Sequence, residues 1–125
     1  MIVGLGVDLV AMARIEAMLS RWGDRIARRV LHPDELAAWP SATARRVEYL
    51  AGRIAAKEAA SKALGVPPGI GWHDAVVRVA RPDPPSVSLS GVAQARAEAR
   101  GVTRVHLTLS HDGGMAVAVV VLEAT

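Results

Sequence analysis

The sequence predicts an α+β fold, and three observations carry that prediction. Apolar residues alternate in residues 2–8 and again in 104–111, which is the period of β-strands. A long central run, residues 44–64, has helical spacing and a composition of good helix formers. Strand-like and helix-like segments are interleaved, with no internal repeat and no low-complexity linker, so one domain over residues 1–125 is expected.

The elements follow in order. In residues 2–8, Val3, Leu5 and Val7 alternate with Gly4, Gly6 and Asp8. One face of that strand is apolar; the other is nearly bare, suits close approach by a backbone or ligand, and ends in a carboxylate. Residues 11–22 carry Ile15, Met18, Leu19 and Trp22 at helical spacing, with Arg14, Met18 and Arg21 as a second, basic-edged stripe. Pro33, with Asp34 and Glu35 behind it, suits the first turn of another helix. In residues 44–64, Val47, Leu50, Ala51 and Ile54 mark an apolar face. Gly65 and Pro67-Pro68 end that helix and make 65–71 a loop. Strands are expected at 75–80, weakly at 86–90, and at 104–111, with a short helix at 92–100 ended by Gly101. Residues 115–123 are almost wholly apolar, which predicts a strand buried on both sides or covered by another subunit.

Composition narrows the function classes. Hydrophobic residues make up 51% of the chain, too many for a disordered segment. There is no Phe, so the core must be built of Ala and branched aliphatics. With no Cys, disulfides and thiolate metal sites are impossible. No run approaches the ~20 apolar residues of a membrane span. The first residues lack a basic stretch and meet an acid at Asp8, unlike a signal peptide, so a cytoplasmic protein is expected. A net charge of +3 and a pI near 10.2 serve solubility or attract an anionic partner. One Tyr and no Phe give little material for base stacking, which argues against nucleic acid as that partner.

Three places bear chemistry. Ile54, Glu58, Ser61, Lys62 and Gly65 lie on one side of the long helix. Glu58 and Lys62 there are either an i, i+4 pair on a solvated face or ligand-binding groups. Asp8 is a metal ligand, a strand-end turn or a helix cap; two carboxylates from separate elements are a usual way to hold magnesium. Ser110 and His111 are adjacent in a strand and point to opposite faces, so they cannot act as a nucleophile–base pair. They read as phosphate contacts at a strand end, or as a turn with an exposed His.

Gly4-Leu5-Gly6-Val7-Asp8-Leu9-Val10, the segment Leu50 to Gly65 with Gly52-Arg53-Ile54-Ala55-Ala56-Lys57-Glu58-Ala59 at its centre, and Thr108-Leu109-Ser110-His111 together resemble the holo-[acyl-carrier-protein] synthases of the phosphopantetheinyl transferase superfamily. The order and spacing of the three segments match over nearly the whole chain, at the length of the short stand-alone type. The resemblance implies a small, mostly antiparallel sheet packed with a long central helix, assembling as a homotrimer. It implies transfer of the 4′-phosphopantetheine group of coenzyme A to a serine of apo acyl carrier protein, leaving adenosine 3′,5′-bisphosphate, in support of fatty acid biosynthesis. The metal, Mg2+, falls on Asp8 and Glu58. The catalytic groups are Glu58 and Lys62, with Glu58 or a water ligand of the metal as the base. Coenzyme A contacts fall on Lys62, Ser61, Gly65, Arg45, Arg53, Ser110 and His111, with the Ser-His pair coming from a neighbouring subunit. Arg14, Met18 and Arg21, with Arg25 and Arg28 nearby, would dock the acidic carrier protein. The sequence departs from the pattern at Ile54, where Phe is usual, at Pro67-Pro68 inside the loop, and at Asp112-Gly113-Gly114 after the Ser-His step.

Overall fold

A computed structural model describes all residues, 1–125. The chain runs β1 (Ile2–Ala11), α1 (Met12–Trp22), α2 (Asp24–Val30), α3 (Pro33–Leu36) and α4 (Thr43–Ala63). A single 3-10 turn, Trp72–Asp74, leads into β2 (Ala75–Arg78) and β3 (Ser86–Leu89). Then come α5 (Gly91–Ala99), β4 (Val102–Asp112) and β5 (Met115–Ala124). The α+β expectation holds. A sheet of order β1-β5-β4 carries α4 across one face, and β2 and β3 form a second, two-stranded sheet. All pairings are antiparallel.

Local chemistry sets these elements. Gly113 and Gly114 both have positive φ, +57° and +77°, between the paired residues Asp112 and Met115. A two-residue turn of that hand matches the twist of a hairpin and so registers β4 against β5. His32 caps α3: its Nδ1 accepts from Asp34 N at 3.0 Å, Glu35 Oε1 accepts from His32 N at 2.9 Å, and Pro33 takes the first turn.

The bare face of β1 meets α4. A Cβ on Gly6 would overlap the carbonyl oxygen of Ala59 and lie 2.7 Å from Ala63 N. A Cβ on Gly4 would overlap Ala63 O. The helix therefore rests directly on the strand backbone, and Ala51, Ala55, Ala56, Ala59, Ala60 and Ala63 fill the thin layer between. The other face of β1 is open: Leu5 is 67%, Val7 54% and Leu9 60% exposed.

One reading is narrowed and two change. The final strand is not buried on both sides within one chain: Ala116, Ala118, Val120 and Leu122 are buried, while Val117, Val119 and Val121 on the opposite face are half-buried. Helix α2 was not anticipated. The boundaries of β1, β2 and β4 shift by two or three residues, as strand ends with weak alternation do.

Candidate active site

Asp8 and Glu58 come from different elements and line one cavity, of about 670 Å3, together with Ile54, Arg14, Met18 and Trp22. Asp8 lies on the glycine face of β1, so the close approach of α4 brings the last turns of that helix to it. Lys62 Nζ donates to Asp8 Oδ1 and to Val7 O, each at 3.1 Å. The i, i+4 pairing of Glu58 with Lys62 is therefore not made; Lys62 reaches across to β1. No ion pair involves Glu58. Asp8 is neither a turn residue nor a cap: β1 runs on to Ala11, which itself precedes α1 without a side-chain cap. The Lys62 side chain is 50% exposed, so this pair contributes at most about 1 kcal/mol. It holds two groups in place without locking either away from a ligand.

The donor set suits a hard cation. The chain offers two carboxylates here and no cluster of three or more His, Asp or Glu. Magnesium is commonly held by one or two carboxylates, with water and phosphate oxygens completing its shell. Only one oxygen of Asp8 is taken by Lys62, and the Glu58 carboxylate is free of ion pairs, so both can serve.

Ser61 and Gly65 lie at the helix end rather than in that cavity. Ser61 O accepts from Val66 N at 2.8 Å, and Gly65, at φ +81°, turns the chain out of α4. Arg14 and Met18 line the cavity; Arg21 does not, and instead sits 5.0 Å from the centroid of Trp22. Arg25 and Arg29 join the lining, whereas Arg28 does not.

The remaining predicted residues are brought together elsewhere. Arg45, Arg53, Ser110 and His111 line a second cavity, of about 890 Å3, with Tyr49 and Arg81. Helix α4 thus supplies both sites, Arg45 and Arg53 from its first half and Glu58 and Lys62 from its second. Ser110 and His111 are both exposed at the end of β4, and both reach the same cavity.

Sequence reasoning missed two supports. Lys57, 4% exposed, spends its three N–H groups on Glu35 Oε1 at 2.7 Å, Trp72 O at 2.9 Å and Ala75 O at 2.5 Å. Glu35 also accepts from Val77 N at 3.1 Å. Burial pushes the Lys57 ammonium below its ordinary pKa, and Glu35 opposes that shift. Lys57 follows Leu50 and Ile54 on the apolar stripe, a signal that a partner had to exist. The second support is on α5. Arg96 Nε donates to Leu64 O at 3.1 Å, and Arg100 donates to Ala63 O at 3.0 Å and to Val3 O. These guanidiniums satisfy the last carbonyls of α4 and tie that end to β1.

Two carboxylates with a lysine toward one end of α4, and arginines in both cavities, are groups suited to a phosphorylated ligand. Residues 4–120 match the 4′-phosphopantetheinyl transferase superfamily, and the chain belongs to that family. The holo-[acyl-carrier-protein] synthase of Desulfovibrio desulfuricans is 51% identical over 99% of both chains. The crystal structure of the synthase from Neisseria meningitidis superposes with a TM-score of 0.86 at 34% identity, covering 98% of this chain and 99% of that one. The holo-(acyl-carrier-protein) synthase of Bacillus anthracis, in complex with CoA (3′,5′-ADP), gives a TM-score of 0.79 at 36% identity, covering 100% and 99%.

Proposed function

We propose that this chain transfers the 4′-phosphopantetheine group of coenzyme A to a serine of apo acyl carrier protein, releasing adenosine 3′,5′-bisphosphate. The observation that carries the reading is the meeting of Asp8, Glu58 and Lys62 where α4 lies on the glycine face of β1. The relatives' shared activity and the CoA-bound neighbour support the same substrate. The family resemblance extends it to fatty acid biosynthesis. No helix is long and apolar enough to cross a membrane, and a cytoplasmic, single-domain enzyme over residues 1–125 is the reading we adopt.

The reaction breaks a pyrophosphate bond, so the protein's task is positioning and charge neutralisation. Asp8 and Glu58 would hold Mg2+, which supplies positive charge to the pyrophosphate oxygens. Lys62, already drawn to that place by Asp8, adds a compact cation beside the departing bisphosphate. The attacking hydroxyl belongs to the carrier protein. Glu58, free of any cation of its own chain, accepts the serine proton directly or through a water. Arg14, Met18, Arg25 and Arg29 around the first cavity dock the acidic carrier.

The complete site is assembled between subunits of a homotrimer. Two features support this. Leu5, Val7 and Leu9, beside Val117, Val119 and Val121, leave an apolar sheet face open in the single chain. The coenzyme A contacts Arg45, Arg53, Ser110 and His111 line a different cavity from Asp8 and Glu58. In the proposed trimer, a neighbour docked on that sheet face supplies the second cavity of each site.

The test is incubation with coenzyme A, Mg2+ and an apo acyl carrier protein, followed by intact mass measurement of the carrier. Gain of one phosphopantetheine mass is expected. An unchanged mass with several apo carrier proteins would sink the reading.

A further inference from the structure

Arg53 stands apart from the other structurally engaged arginines. Arg46 donates to Pro40 O at 2.5 Å, Arg78 to Asp34 at 3.0 Å, and Arg96 and Arg100 to main-chain carbonyls. Arg53 has no such partner. Its Nε is buried without a hydrogen bond, and no carboxylate pairs with it. Burial holds its pKa below the ordinary arginine value, while Tyr49 and the Glu35 carboxylate oppose that shift without forming an ion pair with it. What it does have is the ring of Tyr49, one turn earlier on α4, whose centroid lies 3.7 Å from Arg53 Cζ. Both residues line the second cavity.

The ring is itself fixed. Tyr49 OH donates to Glu35 O at 2.6 Å, and the ring packs edge-on against Trp39, centroids 5.7 Å apart at 76°. Glu35 is in turn immobilised by Lys57 Nζ and Val77 N. A chain of contacts therefore runs from the buried ion pair, through the phenol, to a guanidinium with unspent donors. A cation held in one orientation before its anion arrives loses less entropy on binding.

We propose that Tyr49 is a positioning residue for anion recognition: its ring is the platform that holds the Arg53 guanidinium toward the phosphate-bearing nucleotide end of coenzyme A. The inference rests on the phosphopantetheinyl-transfer reading of this cavity. Tyr49 acts through Arg53 and need not touch the ligand.

Titration calorimetry of the full chain with adenosine 3′,5′-bisphosphate tests it. Tyr49→Phe, which loses the hydrogen bond to Glu35 O but keeps the ring and its edge-on packing against Trp39, binds within about twofold of wild type. Tyr49→Met, which removes it, binds roughly fivefold more weakly, the size of a partly desolvated cation–π contact. Arg53→Met loses at least as much, and the double variant binds no more weakly than Arg53→Met alone, because Tyr49 then has nothing to hold. In turnover, Tyr49→Met raises KM for coenzyme A and leaves kcat unchanged. Equal affinity of wild type and Tyr49→Met, or additive losses in the double variant, would overturn the proposal. Should Tyr49→Met fail to fold by circular dichroism, the wild-type chain gives the answer by NMR. The Arg53 side-chain resonances are displaced upfield by the ring current and move on addition of the bisphosphate; ordinary arginine shifts would refute the stacking. A wild-type chain that binds no bisphosphate overturns the transferase reading itself, whereas undiminished binding by Tyr49→Met removes only the role of Tyr49.

Discussion

The two cavities flanking α4 differ in how finished they are. In the first, Asp8 is paired with Lys62 and the surrounding elements are tied together by Arg100, so the groups proposed to meet the reacting phosphates are set within one chain. In the second, which also holds three arginines and two carboxylates, the most desolvated arginine, Arg53, makes no ion pair. On the proposed function, the difference teaches that the chain sets its reacting groups locally and leaves the proposed nucleotide-binding cavity open to a ligand and a neighbour.

The largest effect is expected at the finished end. Asp8→Ala or Glu58→Ala should lower turnover by about 100-fold or more while leaving the circular dichroism spectrum unchanged. Activity near wild type in either variant would detach these carboxylates from catalysis. Next, Val7→Asp places a charge on the open sheet face, where its side chain is not needed by the core. Light scattering should show loss of the proposed trimer, and turnover should fall by about tenfold or more because the cavities would no longer meet. A fully active monomer would break the link between the two regions.

Much of the first region is legible in sequence, and for a physical reason. The glycine alternation of β1 and the helical stripe through Glu58 and Lys62 are local periods, and each names the face that carries the chemistry. The glycines also mark the face of β1 that another backbone can approach, and α4 does lie there; what the sequence does not name is that the apolar face stays open. Alternation alone favours burying Leu5, Val7 and Leu9; the structure buries the glycines, because an Ala-rich helix can come closer to bare backbone than to branched side chains. Helix α2 was missed because seven residues, four of them charged, are too few to display a period. The Glu35–Lys57 pair was missed because its members lie 22 residues apart and meet only through packing. The partition of Arg53 from Glu58 into different cavities is equally invisible in a motif where they stand five positions apart.

Gly6→Ala sharpens the same contrast. The new methyl must push α4 off β1, at about 1–3 kcal/mol by chemical denaturation, and should weaken turnover more than bisphosphate affinity, since the contact lies at Ala59 and Ala63, beside Glu58 and Lys62 and farther along α4 from Arg45 and Arg53. Equal losses in both would show that the regions are not mechanically separate. A smaller effect is expected from ionic strength. Raising salt should lower kcat/KM for the carrier protein as the arginines around the first cavity are screened, and a flat profile would remove electrostatic docking. The smallest lies at the sheet edge. The hydrogen bond from His106 holds the Glu123 carboxyl below its ordinary value of 4.5. A carboxylate whose folded pKa is depressed stabilises the fold above its unfolded value and loses that contribution as pH falls through the folded one. His106→Ala should therefore make acid unfolding slightly less steep below pH 4.5, measured by fluorescence; an unchanged acid limb would show that the pair contributes nothing.

The division of labour between the cavities is tested most directly by mixing two inactive chains. Glu58→Ala spoils the first cavity and Arg53→Met with His111→Ala spoils the second. If each active site takes its first cavity from one subunit and its second from a neighbour, co-expressed mixed trimers regain transferase activity that neither parent has. If activity stays absent in mixed trimers proven by mass spectrometry to contain both chains, the two cavities serve separate purposes and the composite site is wrong.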